Sequence, residues 1–540
     1  MKSRSFLFLS LLLASFFLWS CSVFTTSIES ISIGYLGFFH ELPIGFFAGF
    51  CLLILATIVW HLSHSPNFLY HLLIPLWVLY IFVGPEIAEV NARGGDTFFH
   101  LYGVNYVVAG DFKRFHYAPY PGYFYFSAIL YQITGIRYHE LAKLLNICLH
   151  LIMTIGGLGL FHKLTGRGRE SILATIIFLA LLWCPGTYTH PVYFGFILML
   201  YFLTVLFSPN IPPLNWKTLL IFFFMSIVIS HPLPSLIITG LVIFRTLISL
   251  NGREFEYHER VKEYGLALLY GVMFIAWLLY SSDWALSHAI WIIRNFIIEN
   301  FFETATTHYT ASESPFRAFV VYSTYAFYLF LFSWLSTILG RSPHKLGLKK
   351  LSPILYTAVI VAVTVLTSQK EGLQRGYYFA TPFIAWFLAS RSPTRKKLTT
   401  CFLTFLLIFG FFLRYNREYL EVLPTTEFKG IEFICESISP SDTILYEWAT
   451  GSLGSNHLLG YLVNKPQAPL AIGIKILKER PPIIKQLDFA IDSTINKNAL
   501  LYYHYYDGGF QLIESLYQVN DGLIYNNGYF KIYFYRMPPI

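Results

Sequence analysis

Apolar runs long enough to cross a lipid bilayer recur along most of this chain, and they restrict its fold more than any other feature. A transmembrane helix needs about 20 mainly apolar residues to cross the hydrocarbon core. The chain has 540 residues, of which 55% are hydrophobic and only 13% charged. We therefore predict a mainly α-helical, polytopic membrane protein with about 13 transmembrane helices, which excludes a single water-soluble globule. The predicted spans are residues 6–24, 43–62, 68–84, 141–161, 171–187, 191–208, 218–230, 233–250, 264–281, 318–340, 351–368, 377–390 and 399–414.

Basic residues predict which connections lie in the cytoplasm, because short cytoplasmic loops are rich in Lys and Arg. If Lys2 and Arg4 lie inside, the even-numbered connections from the fourth onward all carry basic residues, from "HKLTGRGRE" (162–170) to "RSPTRKK" (391–397). An odd number of spans then leaves the C-terminus outside. The pattern predicts a multi-pass protein of the plasma membrane with its C-terminal part on the extracytoplasmic face.

This topology holds only if residues 119–134 do not cross the membrane. A further span at this point would invert every later basic loop. The segment "YPGYFYFSAILYQITG" is short, rich in Tyr and interrupted by Pro121 and Gly122, which favours a helix lying in the interface plane. Residues 85–140 are therefore expected to form one long external segment.

The composition changes after residue 414, where charged and turn residues become more frequent. "TEFKGIEFICESI" has helical spacing of its apolar residues, whereas "TILYEW" and "NALLYYHYY" are typical of strands. "GLIYNNGYFKIYFYR" predicts a hairpin that turns at Asn526-Asn527-Gly528. We expect a transmembrane domain over residues 1–414 and a small extracytoplasmic α/β domain over residues 415–540.

Residues 1–24 allow two interpretations. They resemble a signal peptide, with basic residues, an apolar run and small residues near Ser20 and Cys21, but "LWSC" is a poor lipoprotein cleavage site. A retained first helix is favoured, because most multispanning proteins use that helix as their signal.

Polar side chains collect in and just before the stretch "GGDTFFHLYGVNYVVAGDFKRFHYAPYPGYFYF", which follows the third span. Asp96 and His100 are four residues apart and share one face if this stretch is helical. The carboxylates Glu86 and Glu89 lie just upstream. An ionisable residue at a membrane is often functional, although Asp96 after two glycines is equally typical of a turn or a helix N-cap.

The order of these features resembles the layout of the GT-C superfamily of integral-membrane glycosyltransferases, which use polyprenyl- or dolichyl-phosphate-linked sugars. The shared features are a span, a long external loop with an acidic residue in a D-x-x-x-H setting, an aromatic segment, many further spans and an external C-terminal domain. The resemblance implies that Asp96 is the catalytic residue. Two spans precede the expected first core helix, so the chain carries an N-terminal addition.

A second similarity concerns "KEGLQRGYYFATPF" at residues 370–383, where an external arginine directly precedes a span. It is similar to the arginine that contacts the lipid-linked phosphate in oligosaccharyltransferase-type members, which implies that role for Arg375. Its alternative is an interfacial arginine that extends to the headgroups. An external position runs against the positive-inside trend and favours a function.

Two features concern the oligosaccharyltransferase branch itself. "TASESPF" resembles an acceptor loop and makes Glu313 a candidate, although the same residues describe any mobile loop. "YEWATGS" lacks the aspartate of the W-W-D-Y-G motif. A transferase of single hexoses or pentoses is therefore favoured over an en bloc transferase.

Such a reaction needs a base for the acceptor hydroxyl and a cation for the departing phosphate. A carboxylate provides general-base catalysis, the role implied for Asp96. Arginine suits the phosphate because its planar fork donates two hydrogen bonds. Further candidates for phosphate binding are Lys370, Lys113 and Arg114, which could equally pair with anionic headgroups. Candidates for orienting the acceptor, or for packing at the interface, are His100, His116, Glu86 and Glu89.

The expected partners are a polyprenyl- or dolichyl-phosphate-linked sugar, membrane lipids and a glycan, lipid or protein acceptor, with no nucleic acid. No metal or other cofactor is expected for a monophosphate donor, whereas a pyrophosphate donor would introduce a divalent metal. A lipid or polysaccharide flippase or transporter is the alternative class. It would more typically show polar residues or Gly/Pro breaks deep in paired spans, whereas most charge here lies in loops.

Overall fold

The structure is a computed structural model of the chain, and it describes two helical regions and five short strands. The described ranges are residues 2–28, 38–63, 68–90, 92, 95–110, 112–114, 118–136, 138–166, 168–182, 190–208, 211–251, 257–281, 287, 370–391, 396–415, 443–446, 470–473, 489–493, 522–526 and 530–534. The predicted spans 318–340 and 351–368 and the segment "NALLYYHYY" lie outside these residues.

Helices make up nearly all of the described chain up to residue 415. They are α1 (Lys2–Thr25), α2 (Phe38–Glu41), α3 (Ile44–Leu62), α4 (Leu73–Val78), α5 (Gly84–Ala88), α6 (Gly95–Val108), α7 (Gly122–Thr134), α8 (Tyr138–Thr165), α9 (Gly168–Leu181), α10 (Pro191–Leu206), α11 (Pro213–Val228), α12 (Pro232–Asn251), α13 (Tyr257–Ser281), α14 (Lys370–Arg391) and α15 (Lys396–Tyr415). Short 3₁₀ helices cover Phe68–Leu72 and Phe112–Arg114, and a π-helix covers Leu79–Val83.

Within the described residues, four helical segments are long and apolar enough to cross a membrane: Ser5–Thr25, Ile44–Leu62, Tyr70–Ala88 and Glu140–Thr165. Shorter apolar helices cover Pro191–Leu206, Pro213–Val228, Pro232–Ile243, Tyr264–Tyr280, Tyr378–Ser390 and Thr400–Phe411. All ten coincide with predicted spans. The chain is therefore a mostly helical integral membrane protein.

Helix α7 has the properties expected of an interfacial helix. Its 13 residues extend about 20 Å at 1.5 Å per residue, which is shorter than a hydrocarbon core of about 30 Å. Tyr123 and Phe124 are buried against the protein, whereas Tyr125, Ile129 and Ile133 are exposed. This length and this two-sided pattern agree with the prediction that residues 119–134 do not cross.

Contacts at the helix ends agree with the predicted topology. Arg169, in a predicted cytoplasmic loop, donates hydrogen bonds to the carbonyls of Trp60 (3.1 Å) and His61 (2.6 Å), at another predicted cytoplasmic end. The backbone N–H of Gly122, in the predicted external segment, donates to Ile229 O at 2.9 Å, beside a predicted external turn. Each contact joins segments that the basic-loop pattern assigns to one side.

Helix α1 packs into the body of the bundle. The Tyr80 hydroxyl donates to Ser15 O (2.8 Å), and the Ser15 hydroxyl donates to Gly49 O (2.8 Å). A Cβ atom at Gly49 would overlap the Tyr80 hydroxyl, so glycine permits this approach. These buried hydrogen bonds join the first three spans and favour retention of α1, because its loss would leave polar groups unsatisfied within the membrane.

The described strands after residue 442 form one sheet. They are β1 (Thr443–Tyr446), β2 (Leu470–Gly473), β3 (Phe489–Ser493), β4 (Gly522–Asn526) and β5 (Phe530–Phe534), in the order β2-β1-β3-β5-β4. Strand β1 pairs in parallel with β2 and β3, and β5 pairs antiparallel with β3 and β4. The β4–β5 pair is the predicted hairpin, and "TILYEW" contains β1. The predicted helical part lies outside the described residues, and the domain boundary at residue 415 stays a prediction.

We predict that Thr134→Cys and Gly522→Cys are labelled from outside intact cells, because both sites belong to the side opposite the basic loops. Gly168→Cys should react only after permeabilisation. Each cysteine is introduced into a chain whose six native cysteines are replaced by alanine, and labelling with a membrane-impermeant maleimide is measured. Labelling of Gly168→Cys and Gly522→Cys from the same side would contradict this topology.

Candidate active site

The first turn of α6 contains Asp96, one turn before His100. The side chain of Asp96 lies outside the described part of the structure, whereas Thr97 and His100 are buried. A carboxylate in the first turn is favoured electrostatically, because the helix dipole is positive there. The imidazole of His100 lies 4.6 Å from that of His190 and 6.1 Å from the Tyr123 ring, measured between ring centroids. Helices α6, α7 and α10 therefore meet close to Asp96.

Two His-Pro pairs begin helices at this end of the bundle. His190 Nδ1 accepts a hydrogen bond from Val192 N (3.0 Å) at the start of α10, and His231 Nδ1 accepts from Leu233 N (3.2 Å) at the start of α12. Each histidine thus acts as an N-cap, with proline in the first turn where its missing N–H costs nothing. Because Nδ1 accepts, a neutral imidazole carries its proton on Nε2 and can donate from there.

Neither His-Pro pair was predicted as part of the site. A capping residue followed by proline indicates the start of a helix. Histidine is not one of the usual N-cap residues, so this signal was missed in both segments. The ring of Tyr120, just before α7, lies 5.9 Å from that of His231, and the ring of Tyr123 in α7 lies 6.2 Å from that of Phe194 in α10. The start of α7 therefore approaches both capped helices. Burial raises the pKa of the Tyr123 hydroxyl well above its usual range. Tyr123 is therefore protonated at neutral pH.

Glu86 and Glu89 are buried beside α8. Asn146 Nδ2 donates to Glu86 Oε1 at 3.1 Å. The Lys143 ammonium donates to the backbone carbonyls of Glu89 and Val90 and is attracted by the carboxylates of Glu86 and Glu89. Lys143 and Asn146, two polar residues on α8, thus interact with the two glutamates. These interactions offset the cost of burying the carboxylates.

His150, one turn further along α8, contacts Asn146 and Arg414. His150 Nδ1 lies 2.5 Å from Asn146 O, and His150 Nε2 lies 3.5 Å from Nη2 of Arg414, at the end of α15. Arg414 also donates to Leu182 O at 2.8 Å, and its guanidinium lies 4.4 Å from the centre of the Phe82 ring. Sequence reasoning missed Arg414, because it ends the last predicted span and resembles any terminal basic residue.

Helix α10 connects His100 on α6 with the group formed by His150 and Arg414. His190 contacts His100, and one turn later the ring of Tyr193 lies 5.2 Å from His150 and 6.3 Å from Tyr378 on α14. Tyr378 follows Arg375 by three residues, so the first turns of α14 lie at the same end of the bundle. The side chains of Arg375 and Lys370 lie outside the described part.

The remaining candidates are only partly described. Lys113 is exposed on the 3₁₀ helix Phe112–Arg114, and the side chain of Arg114 is outside the described part. His116 and Glu313 lie outside the described residues. Among the residues that the structure describes, no group of three His, Cys, Asp or Glu side chains could hold a metal ion.

Comparison with solved structures confirms the resemblance predicted from the sequence at the level of the fold, because this chain shares its fold with an oligosaccharyltransferase. The apo oligosaccharyltransferase of Archaeoglobus fulgidus aligns with a TM-score of 0.52 at 11% identity, over 85% of this chain and 72% of that chain. ArnT from Cupriavidus metallidurans, bound to undecaprenyl phosphate, aligns with a TM-score of 0.47 at 12% identity, over 91% of this chain and 98% of that chain. No family model and no curated protein sequence matches the chain.

We predict that Asn146→Leu destabilises the protein by about 1–3 kcal/mol, because a buried carboxylate loses a hydrogen bond. Thermal unfolding in detergent measures the effect. Gln132→Leu, which replaces an exposed amide on α7, is the matched control and should unfold at the wild-type temperature. Equal unfolding temperatures for Asn146→Leu and wild type would remove this contact from the account of stability.

Proposed function

We propose that this chain is a membrane glycosyltransferase that moves a hexose or pentose from a polyprenyl- or dolichyl-phosphate carrier to a glycan, lipid or protein acceptor on the extracytoplasmic face. The observation that carries the proposal is the meeting of α6, α8, α10 and α14 at one end of a GT-C fold. Two of these helices bear the predicted base and the predicted phosphate ligand. The transmembrane part, residues 1–414, would contain the active site, with residues 415–540 as a separate domain.

Asp96 is proposed as the general base. It would accept the proton of the acceptor hydroxyl while the hydroxyl oxygen bonds to the anomeric carbon of the sugar. The bond from that carbon to the phosphate oxygen breaks, and the electron pair leaves with the lipid phosphate. The support comes from the first-turn position of Asp96, which favours its ionised form. His100, His116, Glu86, Glu89 and Glu313 are the proposed acceptor-side residues.

The donor phosphate is proposed to bind near the start of α14. Arg375 is in the second turn of this helix and Lys370 is its first residue. The positive end of a helix dipole adds to their charge, which favours an anion at this position. Lys113 and Arg114 on the loop beside α6 are the further cations proposed to approach the carrier.

An en bloc transfer is the second candidate, because the fold is shared with an oligosaccharyltransferase. It would use a pyrophosphate-linked oligosaccharide and would introduce a divalent metal. The missing aspartate in "YEWATGS" favours the single-sugar transfer. Supplying purified protein with either donor class, with and without a chelator, separates these two mechanisms.

Asp96→Asn tests the base. Asparagine keeps the size of aspartate and much of its hydrogen bonding but cannot accept the proton, so transfer should fall by at least about 100-fold while the protein still folds and inserts into the membrane. Sugar transfer from a polyprenyl-phosphate donor is the assay. Near-normal transfer by this variant would reject Asp96 as the base and leave it a structural role.

Arg375→Ala tests the phosphate ligand. The loss of a charge-assisted hydrogen bond costs about 1.5–3 kcal/mol, so the KM for the lipid-phosphate donor should rise by at least about tenfold. Arg375→Lys keeps the charge without the planar fork, so its KM should lie between those of wild type and Arg375→Ala. Donor titration in detergent measures this order, and identical kinetics for wild type and Arg375→Ala would remove Arg375 from the site.

A further inference from the structure

Several described residues contact Arg414 at the end of the bundle where α6, α8 and α10 meet. Nη1 donates to Leu182 O at 2.8 Å, and Nη2 lies 3.5 Å from His150 Nε2. The guanidinium also lies over the Phe82 ring, 4.4 Å from its centre, a distance typical of cation–π contact. The side chain is half-buried. These contacts fix the position and the plane of a permanent cation.

A π-helix supplies Phe82, the aromatic ring beside the Arg414 guanidinium. The π-helix Leu79–Val83 is followed by Pro85, which has no N–H to continue the α-helical pattern. The indole of Trp19 donates to Leu79 O at 3.2 Å. Phe82, within the π-helix, stacks on His150 with ring centroids 4.1 Å apart. A π-helical turn inside a span often marks a functional site.

The His150 ring is fixed in one tautomer by its two neighbours. Asn146 O, 2.5 Å away, can only accept, so Nδ1 carries the proton. Nε2 therefore presents a lone pair to Arg414 Nη2. His150 thus orients the guanidinium. An arginine that is already oriented loses less side-chain entropy when a ligand binds.

We infer that Arg414 is a second arginine ligand for the carrier phosphate, a role that rests on the proposed function and extends it. Tyr193 contacts both His150 and Tyr378, so the Arg414 group and the turn of α14 that contains Arg375 lie on either side of one aromatic residue. The departing phosphate gains negative charge as the bond to the sugar breaks. A second arginine stabilises that charge in the low-dielectric setting of a membrane site.

Arg169 provides a matched control for a purely structural arginine. At the opposite end of the bundle it donates to the carbonyls of Trp60 (3.1 Å) and His61 (2.6 Å), and its guanidinium lies 5.7 Å from the centre of the Trp60 ring. Both arginines thus satisfy helix-terminal carbonyls and lie over an aromatic ring. Only Arg414 adjoins the proposed site.

The experiment measures binding of a short-chain prenyl phosphate to the purified full-length protein in detergent, by ligand-dependent thermal shift, with the corresponding prenyl alcohol as a charge-free probe. Arg414→Gln should weaken phosphate binding by at least about tenfold and leave alcohol binding unchanged. Arg169→Gln should lower the unfolding temperature without weakening phosphate binding.

Wild-type affinity for the phosphate in Arg414→Gln would overturn the inference and leave Arg414 a structural cap. An equal loss of affinity in Arg169→Gln would also overturn it. If Arg414→Gln does not fold, His150→Phe is the deciding variant. It keeps a ring stacked on Phe82 but removes the Nε2 acceptor for Arg414. A selective loss of phosphate affinity in this variant supports the inference, and unchanged affinity overturns it.

The inference and the proposed function fail in distinguishable ways. Transfer that survives Asp96→Asn while Arg414→Gln loses phosphate affinity would reject the proposed base and keep the anion site. A wild-type protein that does not bind the prenyl phosphate would reject both. Binding by the wild type together with undiminished binding by Arg414→Gln would reject the Arg414 site alone.

Discussion

A polar group inside a bilayer must find its partner within the protein, because no water reaches the hydrocarbon core. Many side chains of the described helices meet this requirement within the bundle. The Thr57 hydroxyl donates to Leu53 O (2.8 Å) and accepts from the indole of Trp77 (3.0 Å). Charged side chains lie toward the helix ends, as Glu86, Lys143 and Arg414 do. The polar end beside α6, α8 and α10 is a consequence of that restriction.

The same restriction explains why sequence reasoning located the described apolar helices well. Bilayer thickness sets the length of an apolar helix, so hydropathy alone predicted α1, α3 and α8 closely. The short aromatic α7 and the β4–β5 hairpin were also predicted, because each carries a local signal in its own residues. Where a local pattern decides the structure, a single sequence is sufficient.

The composition of the polar end depends instead on contacts between distant parts of the chain. His100 and His190 belong to different helices, and nothing in either segment indicates that their rings meet. The π-helix before Pro85 departs from the 3.6-residue period on which pattern analysis depends. The positions of Phe82 and Arg414 follow from that departure and from tertiary packing, so only the structure could bring them together.

The buried contact between Ser15 and Tyr80 has a consequence for biogenesis. Membrane proteins are synthesised from the N-terminus, so α1 and α3 enter the bilayer before the segment that contains Tyr80. The Ser15 carbonyl is then already in place to accept from the Tyr80 hydroxyl, and the third span can settle without an unsatisfied group in lipid. In this order the first two spans already present a hydrogen-bond acceptor to the span that leads directly to Glu86.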